Sequence, residues 1–501
     1  MIISQHAALE SWEALRNNVK IRSVKFNFIM NVILTASTFI FPLITFPYIS
    51  RILLPAGVGK VNFATSLVSY FSMIAMLGVP TYGIRACAQV RDDREELSRT
   101  VHEIFFINLI MGVLVSIVYF AALATVPRLR ADYALFAVMS TTILFNVIGM
   151  EWLYKGLEQY SYITVRSIVF KVIGLILMFL FVKSEKDYVI YGAITIVAGV
   201  GSNFLNFLKL PEIIDLRPVG HYNLRRHWKV IMVFFMMSVA TTIYTNLDTV
   251  MLGFMKDDTE VGYYTASVKV KSILVSFVTA LSTVLLPRVS YYIEHGLKEE
   301  FQKVSRKALN FVVVVAVPVV VYFTLYAKES ILLLSGTEFM GAVEPMKIIM
   351  PTVLFIGITN VLGIQILVPL GREMAVCISV MVGAVVDLMI NAVCIPNMAS
   401  SGAAFGTVIA ELAVLVVQCW ILRTQIRGFM KDVQWLKILT AVTVAAFLSI
   451  GVKALQIHNF LILCVSWVVF ATVYGIILII LKENFVWNIV EEIWKKIRWK
   501  N

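Results

Sequence analysis

Residues 41–64 read FPLITFPYISRILLPAGVGKVNFA, the end of one apolar run and the start of the next. A helix through this stretch must kink at Pro42 and Pro47, leaving carbonyls without their usual donors. Lipid cannot repair that defect, so the segment is expected to line a cavity. The stretch also recurs. Val58-Gly59 is answered by Val261-Gly262, and Phe63-Ala64-Thr65-Ser66 by Tyr264-Thr265-Ala266-Ser267. The offset of 203 residues that carries Gly59 onto Gly262 also carries Arg85 onto Arg288, which reads as two homologous halves.

Composition sets the class. Of 501 residues, 59% are hydrophobic and only 15% charged, too much apolar surface for a soluble globule. The chain therefore reads as an all-α integral membrane protein, with about 14 segments long enough to span. The formal charge of +12 is scattered between apolar runs, as the positive-inside rule produces, and not gathered into a nucleic-acid stripe. With the heaviest Lys and Arg clusters taken as inside, both termini lie in the cytoplasm. No removable signal is expected at the N-terminus. The five cysteines and six histidines show neither CxxC nor HExxH spacing, so no disulfide, metal or cofactor is indicated. Phe485 to Lys500 interleaves tryptophans with Lys495, Lys496 and Arg498, as an interfacial amphipathic helix does.

Four spans carry polar stripes at helical spacing. On the eighth, Gly262, Thr265, Lys269, Ser272, Ser276, Thr279 and Thr283 share a face without one large hydrophobe. The second offers Gly59, Asn62, Ser66 and Ser69; the first Asn27, Asn31, Thr35, Thr38, Pro42 and Thr45; the seventh Ser238, Thr241, Thr245 and Asp248. Such stripes also glue helices together in lipid. Lys269 is harder to explain that way, because a cation near the bilayer centre costs roughly 2.5–3.5 kcal/mol on insertion scales. Lys271 lies on another face and is expected to snorkel or pair. Lys171, Asp387 and Glu411 are further mid-depth charges, for which structural pairing and a functional role stand as equal alternatives. A wall of cations and hydroxyls suits an anionic, sugar-bearing solute.

Four blocks resemble the bacterial polysaccharide flippases, the O-antigen and capsule exporters of the multidrug/oligosaccharidyl-lipid/polysaccharide superfamily. They are FPLITFPYISRILLPAGVGKVNFATSLVSYF, LGVPTYGIRACAQVRDDREELS, MEWLYKGLEQYSYITVRSIVFKVI and NAVCIPNMASSGAAFGTVIAE. The resemblance implies two pseudo-symmetric six-helix lobes around a cationic cavity, plus two C-terminal helices. The expected layout is an N-terminal segment at 1–25, lobes at 26–209 and 229–423 joined by a loop at 210–228, helices 13 and 14 within 424–481, and an amphipathic tail at 482–501. It further implies export of an undecaprenyl-pyrophosphate-linked oligosaccharide from the cytoplasmic to the outer leaflet of the inner membrane by alternating access. Membrane lipids, a sugar polymerase and chain-length machinery are the partners it suggests. Arg51, Gly59, Lys60, Asn62, Pro80, Gly83 and Arg85 fall on its first motif positions, Arg91 to Arg94 on its charged loop, and Glu151, Trp152, Gly156 and Glu158 on its fourth-helix motif.

The expected substrate-binding set is Lys269, Arg85, Arg288, Asn31, Thr38, Asn62, Ser66, Thr265, Ser272 and Thr241. Arg85 and Arg288, at the cytoplasmic mouth of each lobe, fit as gate groups or as first docks for pyrophosphate, and Asp248, Asp387 and Glu411 are the candidates for H⁺ or Na⁺ coupling. Two alternatives stay open. A multidrug or toxic-compound cation antiporter of the same superfamily would favour carboxylates at mid-depth. A membrane glycosyltransferase or sugar polymerase would need a large outer loop, for which these connections are too short.

Overall fold

The computed structural model describes residues 24–455 and 458–498. Nearly all of the expected N-terminal segment, the last three residues of the tail, and the side chains of Thr283 and of positions 493–498 lie outside the described residues. The described chain is helical, without a strand. The principal helices are α1 Val24–Met76, α2 Val79–Val90, α3 Arg94–Thr125, α4 Tyr133–Gly149, α5 Glu151–Gly156, α6 Tyr160–Phe181, α7 Tyr188–Ile196 and α8 Asn203–Ile213. They continue with α9 Arg225–Met255, α10 Asp258–Glu294, α11 Lys298–Leu325, α12 Ala327–Ser335, α13 Val343–Ile349, α14 Pro351–Asn360, α15 Glu373–Ile421, α16 Trp435–Ile450, α17 Asn459–Ile480 and α18 Asn484–Arg498.

Nine helices among the described residues are long and apolar enough to cross a membrane, or ten if one bent pair at Thr337–Ile349 and Pro351–Leu367 counts as a span. The expected count of fourteen is not confirmed by that criterion. Part of the reason is that the two longest helices each join two segments across a break and are counted once. Leu54 (φ 59°, ψ 175°) divides α1 and Ala399 (φ 48°, ψ −127°) divides α15, both at backbone angles that L-residues rarely adopt. The break at Leu54 is matched, 203 residues on, by the interruption at Asp257 between α9 and α10.

The chain packs as two compact units. The first holds residues 24–44, 70–182 and 189–239; the second holds 45–69, 183–188 and 240–498. In the first, α2 and α5 meet at van der Waals contact. A Cβ on Gly83 would lie 2.6 Å from the Trp152 ring, and one on Gly156 would lie 2.9 Å from the Ile84 carbonyl. Around them Val79, Cys87, Leu97, Ile104, Leu153 and Tyr154 form a buried core.

In the second unit three tyrosines staple the C-terminal helices to the body. Tyr322 of α11 donates to the Leu463 carbonyl at 2.8 Å, Tyr474 of α17 to Val314 at 2.8 Å, and Tyr326 to Ser449 at 2.6 Å. The outer faces of α16 and α17 present Phe447, Leu448, Val468 and Ile480 exposed, as a lipid-facing surface requires.

Candidate functional site

Lys269 sits about a third of the way along α10, half-buried, and makes no hydrogen bond or ion pair with any described residue. The hydroxyls along its face bond backward into their own helix. Ser272 donates to the Val268 carbonyl at 2.8 Å, Ser276 to Ser272 at 2.7 Å and Thr279 to Val275 at 2.8 Å. Each oxygen has thereby spent its proton and keeps its lone pairs, so this wall offers acceptors. Lys269 supplies the spare donors beside them. Thr265, one turn earlier, is buried.

The second half of α1 adds Asn62, whose amide donates to Val58 at 2.8 Å, and the buried Ser66. Asn62, Ser66, Thr241, Thr265, Lys269, Ser272 and Arg288 all belong to the second unit. Arg85, Asn31 and Thr38 belong to the first, where all three are exposed. Thr38 donates to the Thr35 carbonyl at 2.7 Å. Arg288 donates to the Tyr292 hydroxyl at 2.7 Å and stacks over its ring.

The repeated glycines meet. A Cβ on Gly59 would fall 1.7 Å from the Asp258 carbonyl oxygen, and one on Gly262 would fall 2.1 Å from that of Pro55. The second half of α1 and the start of α10 therefore touch backbone to backbone, which only glycine permits. Arg51 tightens the same region by donating to the carbonyls of Pro47 at 2.5 Å and Leu333 at 2.7 Å, where α12 ends. Beside the contact lies a cleft of about 440 Å³ lined by Lys60, Glu185, Tyr188, Tyr263 and Glu338.

A second constellation gathers on α9, α10 and α15. Asp248 is buried, and its carboxylate accepts from the Tyr264 hydroxyl, from Asn391 at 2.6 Å and from Thr407 at 3.0 Å. Asp387 and Glu411 are buried beside it, and one Asp387 oxygen has no hydrogen-bond partner. Lys271 lies within electrostatic reach of Asp387 and Glu411. Three carboxylates thus face one ammonium in the membrane interior, an imbalance that protons would relieve. Among the described residues no group of three or more His, Cys, Asp or Glu could hold a metal ion. The stripe on α9 marks Asp248 in the sequence, whereas nothing there marks Tyr264, Asn391 and Thr407 as its partners.

Other motif residues hold structure. Arg91 pairs with Glu158 at 2.9 Å, Arg94 with Asp215 at 3.1 Å, and Asp93 caps α3 through the Glu95 and Glu96 amides. Glu151 pairs with the buried Arg166 at 3.2 Å. Lys171 donates to the Ser37 hydroxyl at 2.6 Å. One buried cluster has no signature in the sequence at all. Glu103, fully enclosed, accepts from Arg226 at 2.7 Å and sits 2.6 Å from His227, whose other nitrogen is 2.6 Å from the Tyr82 hydroxyl.

Comparison with known proteins places these features in context. The family model described as polysaccharide biosynthesis protein matches residues 24–293, and the MatE model matches 234–393. A putative O-antigen transporter of Escherichia coli (strain K12) is 23% identical over 354 residues, 69% of this chain and 83% of that protein. One from Shigella dysenteriae is 22% identical over 382 residues, 73% of this chain and 91% of its own length. Among solved structures, the lipid II flippase MurJ in an inward closed conformation superposes with a TM-score of 0.74 at 14% identity, covering 92% of this chain and 100% of that one. An inward-facing multidrug resistance MATE family transporter of the MOP superfamily gives 0.62 at 13% identity, covering 78% and 96%. Both likenesses concern the fold.

Proposed function

The chain belongs to the polysaccharide biosynthesis protein family, and from that premise we propose that it is a flippase for a lipid-linked glycan. It is a multi-pass membrane transporter and not an enzyme. The cargo in this reading is an oligosaccharide on undecaprenyl pyrophosphate, moved from the cytoplasmic to the outer leaflet of the inner membrane, with both termini cytoplasmic. A sugar polymerase and chain-length machinery would take up the product.

The observation that carries the reading is Lys269. A cation held in a membrane span without a counter-ion is costly, and an anionic substrate is the natural group to offset that cost. The acceptor-rich wall beside it suits the other half of the cargo, because sugar hydroxyls are donors as well as acceptors. Arg85 and Arg288 serve as entry docks for pyrophosphate, and Asn31, Thr38, Thr241, Asn62 and Ser66 as further sugar contacts. A wet, polar path lowers the barrier that hydrocarbon sets against a charged head group, while the polyprenyl tail stays in lipid. Asp248, Asp387 and Glu411, with H⁺ or Na⁺ as the coupling ion, reset the empty carrier.

The test is export in a strain lacking its own flippase. Lys269→Ala should cut surface polysaccharide at least about tenfold, with normal membrane abundance of the protein and with lipid-linked oligosaccharide accumulating undelivered. Lys269→Arg should recover part of the loss. Undiminished export by Lys269→Ala would remove this residue from the path.

The carboxylate cluster supports a second reading, antiport of an organic cation. If purified protein in vesicles exchanges such a cation for H⁺ or Na⁺ while the glycan stays behind, the second reading replaces the first.

A further inference from the structure

The charged end of α11 and the tail helix α18 enclose a cleft of about 690 Å³ that shares no residue with the proposed transport site. On α11 the lining residues recur at steps of three and four and so share one face. Lys303, Arg306 and Lys307 bring three cations. Glu299 of α11, Asp432 and Glu492 of α18 bring three carboxylates. None of these six forms an ion pair with a described residue. Opposite charges around one space are held apart, although flexible side chains of this length ordinarily pair.

Deeper in the cleft Asn310 is 3% exposed. Its amide nitrogen donates to the buried Glu483 at 3.0 Å, while its oxygen has no partner. The Arg306 Nε proton is buried and unpartnered too. A buried acceptor and a buried donor left unmet are both costly. An occupant that repairs both must carry an acceptor for Arg306 and a donor for Asn310, and balanced lining charge favours an occupant bearing both signs.

The position narrows the class. α18 alternates tryptophans and charges as an interfacial helix does, and the cleft opens where the apolar part of α11 gives way to its charged end. We propose that this cleft binds the phosphoethanolamine headgroup of a membrane phospholipid. The phosphate lies against Arg306, Lys307 and Lys303; the ammonium points to the Asn310 oxygen and the carboxylates. Such a lipid fixes the tail helix against α11.

Native mass spectrometry of the full-length protein, with phosphatidylethanolamine, phosphatidylcholine and phosphatidylglycerol offered in equal amounts, tests this. Choline has the same charge as ethanolamine but no N–H to donate. Phosphatidylethanolamine should be retained about tenfold better than phosphatidylcholine. Arg306→Gln with Lys307→Gln should abolish retention of both zwitterions. Glu492→Gln, an exposed and structurally mild change, should narrow the preference for ethanolamine alone. Equal retention of the two zwitterions by the unaltered protein, or dominance of phosphatidylglycerol, would overturn the proposal. So would stabilisation by soluble phosphoethanolamine without retention of the lipid, which would place the ligand outside the bilayer. A cleft holding only water would retain no lipid, and that result would overturn it equally.

Discussion

Glu103 and Lys269 are both charged groups within apolar helices, and their surroundings divide them by role. Glu103 is enclosed and meets Arg226, His227 and the Asn223 amide, the last at 2.6 Å. Lys269 meets no described partner. A buried ion cluster stripped of one partner strands the remaining charge, which costs about 3–5 kcal/mol. Glu103→Gln should therefore lower the melting temperature in detergent by several degrees, whereas Lys269→Ala should leave it unchanged or raised. Differential scanning fluorimetry of the two variants checks the contrast; equal destabilisation would mean that Lys269 is also structural. Lys269 is legible in the sequence because its stripe lies on one helix at a fixed period. Glu103 is not, since its partners stand 120 or more positions away and nothing local marks the pairing. Asp248 shows the same divide, its acid visible from spacing and its Asn391 and Thr407 donors not.

At the scale of helices, the duplication is the most informative part of the sequence. The 203-residue offset rests on small and aromatic residues, and the structure repeats it in the break at Leu54 and the interruption at Asp257. It also pairs Gly59 with Gly262, without foretelling that the two segments touch. Backbone contact is a property of tertiary packing, and the glycine pattern alone is equally compatible with a ligand's approach or a tight turn. Helix ends are less legible. The break at Leu54 falls directly before Pro55, which disfavours helical angles at the preceding residue, whereas the break at Ala399 has no proline or glycine beside it to mark it. The glycine contact yields a sharp expectation. A methyl at Gly59 would overlap a main-chain carbonyl, which cannot swing aside as a side chain can, so Gly59→Ala must separate the second half of α1 from α10. Export should fall severely. Gly475→Ala in α17, where nothing lies within 4 Å of the added carbon, should instead be neutral or slightly stabilising, by up to about 1 kcal/mol. Parallel complementation and melting curves read both, and a tolerated Gly59→Ala would deny the contact any part in the working protein.

Across the whole molecule, the proposed substrate wall and the carboxylate cluster have to be linked if export is to be driven. Both involve α10, which carries Lys269 on one face and, two residues on, Lys271 within reach of Asp387 and Glu411. A cation or proton arriving at the cluster changes the charge that Lys271 faces. Any shift of α10 that follows also moves Lys269. Coupling by this route needs the Asp248 carboxylate, which orders Tyr264, Asn391 and Thr407 around the acids. Asp248→Asn keeps the shape and removes the charge, but an amide has one acceptor oxygen where the carboxylate had two, so the neighbouring donors lose a partner. In proteoliposomes loaded with a lipid-linked oligosaccharide, the unaltered protein should translocate faster when a gradient of the coupling ion is imposed. Asp248→Asn should be slow and indifferent to that gradient, and Lys269→Ala should be slow because the cargo binds poorly, with its residual rate still responding to the gradient. If Asp248→Asn keeps a full response to the gradient, the energy enters elsewhere, and the cluster is a structural device for packing α9 and α10 against α15.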